Sequence, residues 1–228
     1  KNIRSAFLKS YKSDPKSAFG GIVLLNRKVN FKLAKYISEH FFEMIVAPSF
    51  DKNALTILKK KKNLIILKLP KLRKQIIEHR STLFGDLYQT VDLEKINKNF
   101  LELQSGKKVS LKLVNDLIFS LKVAKHLKSN AIVLSRNKQT LGLGHGNTNR
   151  VDALKVAIKN MNKYFINNYF VCASDGFFPF TDSIRLLKRR GCSALAQPSG
   201  SINDKKIISF SNRNQISLYF IKNRLFKH

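Results

Sequence analysis

One segment joins a polar corner to three phenylalanines around a proline: Cys172-Ala173-Ser174-Asp175-Gly176-Phe177-Phe178-Pro179-Phe180-Thr181-Asp182. Pro179 fixes its own backbone φ angle and favours an extended backbone at Phe178. Thr181 or Asp182 can then cap a helix that Gly191 ends. A rigid apolar loop before a helix N-terminus suits a flat, partly charged ligand, because aromatic rings pack on its ring system and free N–H groups face its anionic end. The alternative interpretation is a loop that only fills the core.

Short apolar runs alternate with amphipathic helical patterns along the rest of the chain. Strands are predicted for the apolar runs at 22–25, 44–47, 64–67, 131–134, 139–141, 194–196 and 216–220. Helices are predicted for the amphipathic patterns at 1–12, 31–42, 113–127, 151–161 and 184–188. Two further helices are predicted, one near residue 52 that Asp51 can cap and one near residue 207. Such alternation is typical of an α/β fold with buried strands in a largely parallel sheet. Lys107-Lys108 marks a polar joint, so we predict a first half over residues 1–110 and a second half over residues 111–228.

Two local patterns in the second half predict a turn and a glycine-rich segment. Arg136-Asn137-Lys138 separates two apolar runs and predicts a hairpin turn. Gly142, Gly144 and Gly146 follow, and their spacing does not match the dinucleotide-binding fingerprint. This glycine segment lies between a predicted strand and a predicted helix, where exposed N–H groups can hold an anion or a carboxamide. The alternative is a simple glycine turn.

The charge balance is the most unusual feature of the composition. The 228 residues include 43 Lys and Arg against 14 Asp and Glu, which gives a formal net charge of +29. Taken alone, this excess favours polyanionic partners such as nucleic acid. The lysines are scattered, however, and accompany many Asn, Ile and Phe residues, whose codons are also rich in A and T, so we favour compositional drift over a nucleic-acid-binding surface. The two cysteines give neither a disulfide framework nor a metal-binding spacing, and they fit a reducing cytoplasm. No apolar run approaches the ~18–20 residues of a membrane-spanning helix.

The aromatic segment resembles the Ser-Asp-Ala-Phe-Phe-Pro-Phe signature of AICAR transformylases, the folate-dependent formyltransferases of purine synthesis. Four further stretches resemble motifs of that family in the same order, so that the resemblance covers essentially the whole chain: Ser13-Asp14-Pro15-Lys16-Ser17-Ala18-Phe19-Gly20-Gly21, Lys128-Ser129-Asn130-Ala131-Ile132-Val133, Gln197-Pro198-Ser199-Gly200-Ser201-Ile202 and Asn223-Arg224-Leu225-Phe226-Lys227-His228. The resemblance implies two α/β/α halves similar to cytidine deaminases. Those deaminases hold zinc through His-x-Glu and Pro-Cys-x-x-Cys motifs. Because this sequence has neither pattern, we predict no catalytic metal.

The resemblance also implies a reaction and its partners. The family transfers a formyl group from the co-substrate 10-formyltetrahydrofolate to the 5-amino group of AICAR, and its active site lies at a homodimer interface. In the family an adjacent Lys-His pair supplies the base and the cation, in a segment expected before Lys1, so no catalytic residue is expected within these 228 residues. The IMP cyclohydrolase domain of the bifunctional family is also expected outside them. The chain alone is therefore expected to bind ligands without turnover.

Two sets of residues match ligand-binding positions of the family. The resemblance places the nucleotide against Phe19, Gly20, Glu43, Asn130, Arg150 and Arg224, and the folate against Asp175, Phe177, Phe178, Phe180, Ser201 and Ile202. Arginine can hold a phosphate or a carboxamide oxygen through two hydrogen bonds, and asparagine offers both a donor and an acceptor. Glu43 suits ribose hydroxyls, and Asp175 could face the donor edge of the pterin. For each polar residue the alternative is a surface salt bridge or a satisfied turn.

Departures from the family pattern leave alternatives open. The family has Gly-Ala-Gly-Gln-x-Ser-Arg where this sequence reads Gly144-His145-Gly146-Asn147-Thr148-Asn149-Arg150, so the arginine is kept while its neighbours change. A second hypothesis, a basic nucleic-acid-binding module on a related α/β scaffold, accounts for the net charge. The two hypotheses differ in salt dependence, because binding to nucleic acid weakens log-linearly with salt concentration.

Overall fold

The computed structural model describes residues 2–71, 76–166 and 169–227. The chain divides into two compact units, Lys1–Lys95 and Ile96–His228. This division lies earlier than the predicted boundary at residue 110, because the strand Glu102–Ser105 pairs with Ser217–Ile221 in the sheet of the second unit. Among the described helices, none is both long enough and apolar enough to cross a membrane.

The first unit is a small α/β layer followed by a hairpin. Its parallel sheet has the order β1 (Ile22–Leu24), β2 (Met44–Ala47) and β3 (Ile65–Lys68), and its helices are α1 (Ile3–Ser13), α2 (Phe31–Ser38) and α3 (Lys52–Leu58). The strands β4 (Ile77–Thr82) and β5 (Gly85–Thr90) pair as a separate antiparallel hairpin. Asp51 precedes α3 as predicted, but its side chain makes no capping bond and instead pairs with Lys28 at 2.8 Å.

Among the described residues of the first unit, the helices pack against one face of the sheet. Ile45 lies fully buried in the core that the three helices share with this face. The other face carries Ile22 and Leu24, which are 67% and 59% exposed, together with the similarly open Ile65 and Leu67. The register aligns these side chains across the sheet, because paired residues of parallel strands point to the same side. The expectation of fully buried strands is therefore wrong for β1 and β3.

The second unit is built on one mixed sheet. Its strands are β6 (Glu102–Ser105), β7 (Ile132–Arg136), β8 (Gln139–Gly144), β9 (Phe170–Ser174), β10 (Cys192–Pro198) and β11 (Ser217–Ile221), in the order β6-β11-β10-β9-β7-β8. Its helices are α4 (Leu111–Ala124), α5 (Arg150–Tyr164), α6 (Asp182–Arg189) and α7 (Asp204–Arg213). Only β9, β10 and β11 run parallel, so the prediction of a largely parallel sheet is wrong for this unit.

Helices cover both faces of this sheet. Cys172 and Leu195 on the central strands belong to the core that also contains buried residues of α5, α6 and α7. Their neighbours Val171 and Ala194 belong to a second core with buried leucines of α4. This alternation follows from the two-residue period of a strand. The second unit is therefore an α/β/α sandwich, which confirms the α/β class.

Glycines bring β8 into close contact with α5. A Cβ atom added at Gly144 would lie 1.8 Å from the carbonyl oxygen of Ala153, and one added at Gly142 would lie 2.0 Å from that of Ala157. These two glycines lie in β8 and serve helix–strand packing, so neither of the two alternatives, an anion-binding loop or a simple glycine turn, describes them. Gly146 alone lies in the turn, where its φ of 67° favours glycine and its N–H donates to the Lys128 carbonyl at 2.8 Å.

The predicted hairpin turn is confirmed, and a helix residue holds it. Asn137 and Lys138 connect β7 to β8 with φ angles of 52° and 54°, the left-handed pair that a tight hairpin requires. Both of their N–H groups donate to the carboxylate of Asp116, at 2.8 and 2.7 Å. Asp116 is buried on α4, so this charge is satisfied by the turn it stabilises.

Both cysteines are buried, and we expect them to be unreactive in the folded protein. Burial raises the pKa of Cys172 well above its ordinary value and raises that of Cys192 to about 12. The thiolate is the nucleophile, so alkylation at pH 8 should label neither thiol until a denaturant unfolds the chain. Above about pH 9 the unfolded thiols ionise while the folded ones stay neutral, so these groups lower stability as pH rises. Mass spectrometry after brief labelling checks this, and rapid native labelling would contradict it.

Candidate ligand-binding site

A buried ion pair lies at the centre of the second unit's candidate site. Arg150 begins α5, directly after Asn149, whose side chain caps the helix by accepting from Asp152 N–H at 2.8 Å. Its guanidinium Nη1 contacts Asp175 Oδ1 in the aromatic segment that follows β9. Both partners are buried, and Asp175 is fully so. A pair held this deeply depends on further hydrogen bonds to be tolerated.

The surroundings of the ion pair provide those hydrogen bonds. Arg150 also donates from Nη1 to Ser174 Oγ at 3.0 Å and from Nη2 to Asn130 Oδ1 at 2.7 Å. Asp175 accepts on its other oxygen from Ser129 Oγ at 2.6 Å. The guanidinium is thereby fixed in one orientation by residues of two segments, Asn130 before β7 and Ser174-Asp175 at the end of β9. The sequence analysis placed Asp175 against the pterin, but its carboxylate contacts Arg150 and Ser129 within the chain.

Asn130 connects this network to the loop before α5. Its Nδ2 donates to the carbonyl oxygens of Asn147 and Thr148, at 3.0 and 3.1 Å, and its Oδ1 accepts from Arg150. Both amide hydrogens are therefore used inside the protein. Asn130 lies beside Arg150, as the sequence pattern predicts, but in this arrangement it positions the arginine and has no unused hydrogen to donate to a ligand.

Gly176 makes room for the network, a role that sequence reasoning did not detect. A Cβ atom at this position would lie 2.3 Å from Arg150 Nη2 and 2.7 Å from Phe226 Cε1. Both neighbours would have to move to accept even an alanine. The available signal was the glycine itself, which stands where the similar family signature has alanine.

A second arginine, Arg224, lies in the C-terminal segment that is bonded to the backbone of Asp175. The Arg224 guanidinium lies 5.2 Å from the ring centroid of Phe177 and 5.6 Å from that of Phe226, so it is stacked against both rings. The flanking backbone is anchored, because Leu225 N–H donates to the Asp175 carbonyl at 2.9 Å. The side chain of Arg224 remains exposed to solvent. An oriented, accessible guanidinium is suited to a phosphate or a carboxylate.

The three phenylalanines of the aromatic segment occupy different environments. Phe178 is 0% exposed and belongs to the core, so the core-filling interpretation holds for this residue. Phe177 is half-buried against Arg224, whereas Phe180 is 63% exposed. Ile202 is fully exposed, and the loop that carries it is joined to the aromatic segment by a hydrogen bond from Asn203 Nδ2 to the Pro179 carbonyl at 2.9 Å. We call Phe180 and Ile202 the apolar platform.

Ser201 shapes the loop beside this platform. Its N–H donates to Asp204 Oδ2 at 3.2 Å, and its Oγ accepts from Asn203 N–H at 3.2 Å. Gly200 N–H donates to the same carboxylate oxygen at 2.8 Å. These bonds fold the loop tightly at the start of α7, and they leave Ile202 projecting into solvent.

The remaining predicted nucleotide contacts cluster in the first unit. Phe19 is exposed and its ring lies 5.0 Å from that of Phe41, whose carbonyl accepts from Gly20 N–H at 3.1 Å. Gly20 has a φ of 68°, which favours glycine. The exposed Glu43 is close by, with its Oε1 at 4.0 Å from the position of a Cβ on Gly20. These three residues form an open surface at the start of β1 and β2.

The described residues contain no group of three or more His, Cys, Asp or Glu side chains placed to hold a metal ion. Besides the buried Asp175 carboxylate, which is paired with Arg150, the polar atoms described for the second unit's site are guanidinium, amide and hydroxyl groups, which bind anions and carbonyl oxygens. The fold and the site together define an α/β protein whose second unit carries a cationic, aromatic-lined surface.

Comparison with known proteins identifies the family. The model of the AICARFT/IMPCHase bienzyme family matches residues 1–160, and the chain belongs to this family. It is 44% identical to the bifunctional purine biosynthesis protein PurH of Caldicellulosiruptor bescii over 229 residues, which cover 100% of this chain and 44% of that protein. The PurH proteins of Fusobacterium nucleatum and Buchnera aphidicola are 44% and 43% identical, again over 100% of this chain and 45% and 44% of theirs. The chain thus spans less than half the length of these relatives.

Proposed function

We propose that this chain carries the ligand-binding part of a folate-dependent formyltransferase that acts on AICAR. The observation that carries the proposal is the exposed Arg224 guanidinium, which lies over the rings of Phe177 and Phe226 in a segment bonded to the backbone of Asp175, the buried partner of Arg150. The names of the relatives support a role in purine biosynthesis. Of the two activities in the family description, formyl transfer agrees better with an apolar platform beside a cationic, hydrogen-bonding pocket.

The nucleotide side of the proposal rests on the charged groups. Arg224 offers two parallel N–H donors to the phosphate or carboxamide of AICAR, and the aromatic stacking limits the orientations it can take. Arg150 contributes through its fixed positive charge and through Asn130, which it orients. Phe19, Gly20 and Glu43 of the first unit are proposed as further contacts, with the Glu43 carboxylate accepting from ribose hydroxyls.

The folate side of the proposal rests on the apolar platform. Phe180 and Ile202 are exposed and can cover the ring system of 10-formyltetrahydrofolate, with Phe177 and Ser201 at the edges. Phe178 supports the loop from the core, and Asp175 supports it through the ion pair. These two residues are therefore proposed to shape the folate site without touching the ligand.

The chemistry requires groups beyond these contacts. The amine of AICAR is a poor nucleophile because its lone pair is delocalised, so the transfer needs a base for its proton and a cation for the developing oxyanion. The similar family uses an adjacent Lys-His pair. Lys125-His126 is such a pair by sequence, but its backbone N–H groups close the last turn of α4, at 3.0 Å from Leu121 and Val123. We propose that it has a structural role.

Calorimetry on the intact protein tests the nucleotide assignment. Arg224→Ala should weaken AICAR binding by about 1.5–3 kcal/mol, as for a lost charge-assisted hydrogen bond. Arg224→Lys should recover only part of the loss, because an ammonium group lacks the planar fork of donors. Lys222→Ala, which removes an exposed charge two residues away, is the matched control and should have little effect. Equal affinities in all four proteins would contradict the assignment.

The net charge of +29 supports one competing function, binding to nucleic acid. Titration of a fluorescent oligonucleotide at several salt concentrations separates the two hypotheses. A nucleic-acid-binding protein should lose affinity steeply and log-linearly with salt. The proposed enzyme part should bind AICAR saturably, and oligonucleotide should not compete with it.

A further inference from the structure

The side chain of Ser129 joins the buried ion pair to the C-terminal segment. Its Oγ donates to Asp175 Oδ2 at 2.6 Å and accepts from the N–H of Lys227 at 3.1 Å. A hydroxyl group has one hydrogen to donate and two lone pairs that can accept, so one oxygen can make both bonds at the same time. The backbone adds a third connection, because Ser129 N–H donates to the Lys227 carbonyl at 2.9 Å.

These bonds hold the C-terminal segment at two alternate residues. Leu225 N–H donates to the Asp175 carbonyl, and Lys227 bonds to Ser129 through both its N–H and its carbonyl. The segment, as far as the structure describes it, belongs to no helix or strand, so these contacts determine where it lies. Because Arg224 comes directly before Leu225, a displacement of the segment also displaces the Arg224 guanidinium.

Removal of the Ser129 hydroxyl would break the connection on both sides. The Asp175 carboxylate would lose its bond from the hydroxyl, but its contact with Arg150 would remain. The N–H of Lys227 would lose the oxygen to which it donates. The buried ion pair would therefore persist, whereas the segment that carries Arg224 would lose one of its attachments.

We propose that Ser129 is a positioning residue for the ligand-binding arginine of the C-terminal segment. It acts through Arg224 and does so without contacting the ligand. The proposal rests on the proposed function, in which the Arg224 guanidinium binds the phosphate or carboxamide of AICAR. Two parallel hydrogen bonds require the planar guanidinium to face its acceptor, so a small displacement of the backbone lowers affinity although no contacting group is lost. The buried pair and the exposed arginine thereby form one connected site.

A double-mutant cycle, measured by calorimetry with AICAR on the intact protein, tests this role. Ser129→Ala should weaken binding about 3- to 10-fold, whereas Ser129→Thr, which keeps a hydroxyl group, should remain within about twofold of the wild type. In the Arg224→Ala background, Ser129→Ala should change affinity less than about twofold, because the group that it positions is already absent. The matched control is Ser135→Ala, which removes a buried hydroxyl bonded to Ser120 and should leave AICAR affinity unchanged.

Hydrogen exchange of the C-terminal amides provides a second readout, which does not depend on a ligand. In Ser129→Ala, the amide hydrogens of Leu225 and Lys227 should exchange at least about tenfold faster than in the wild type, because the segment opens more often. In Ser135→Ala, the exchange rates of these two amides should stay the same. Nuclear magnetic resonance resolves the two amides individually.

The outcomes separate this inference from the proposed function. If the wild-type protein does not bind AICAR, the proposed function fails and the positioning role fails with it. If Arg224→Ala weakens binding but Ser129→Ala does not, only the positioning role is overturned. An equal loss from Ser129→Ala with and without the arginine would show that the serine acts independently of it, which would also overturn the proposal. Unchanged exchange rates at Leu225 and Lys227 would overturn it as well.

Discussion

Replacing Arg150 with methionine is expected to lower the free energy of unfolding by about 3–5 kcal/mol. The substitution keeps the length of the aliphatic stem but leaves the fully buried Asp175 carboxylate with Ser129 as its remaining side-chain donor. Asn130 also loses the group that holds its amide oxygen. The loss arises from an uncompensated buried charge, so it should exceed that of an ordinary core substitution with a similar change in volume. Urea denaturation monitored by circular dichroism measures it.

A double-mutant cycle isolates the ion pair in this first prediction. Asp175→Asn removes the negative charge, and the double variant Arg150→Met/Asp175→Asn removes both charges. Because no unpaired buried charge then remains, the double variant should be more stable than Arg150→Met alone. If the decreases in unfolding free energy of the two single variants add up to that of the double variant, the two side chains do not stabilise each other, in conflict with their contact in the structure.

Replacing Phe178 with alanine should cost about 3–5 kcal/mol of stability, whereas the same change at Phe180 should cost less than about 0.5 kcal/mol. The two residues flank the same proline, but Phe178 is buried in the core and Phe180 is 63% exposed. Deleting the buried ring leaves a cavity, whereas deleting the exposed ring removes little packing.

For ligand binding we expect the exposed Phe180, which matters little for stability, to have the direct effect. Phe180→Ala should weaken binding of a folate analogue by on the order of 1–2 kcal/mol at unchanged stability, as for truncation of an interface aromatic residue. Thermal denaturation and calorimetry on the same two variants give both quantities. If Phe180→Ala binds the analogue normally while folded, the apolar platform is not the folate surface.

Regular apolar periodicity made most of the elements predictable from sequence. Strands such as β2 and β11 are short apolar runs between breakers, and the turn at Asn137 follows from its position between two such runs. The sequence reading missed β6, because Glu102–Ser105 is a mainly polar edge strand whose partner lies far away in the chain. It also missed β9, because Phe170–Ser174 leads without a break into the aromatic segment.

Side-chain environments within the candidate site were less predictable than the positions of its segments. Three phenylalanines in one segment look equivalent in sequence, and only the folded backbone distinguishes the core ring from the exposed one. Similarly, an Asp beside aromatic residues suggests a ligand contact, but the partner that buries Asp175 is Arg150, at the start of a helix earlier in the chain. Such pairings depend on tertiary contacts, which local patterns do not encode.

The carboxylate of Asp116 has a consequence for the order in which the second unit folds. It ties α4 to the turn between β7 and β8 across 21 and 22 residues of chain, so this helix and hairpin can form early from nearby segments. The bond from Ser105 Oγ to the Ile216 carbonyl closes a loop of 111 residues, whose entropy must be lost before the contact forms. We therefore expect β6 to join the sheet last and to exchange its amide hydrogens first.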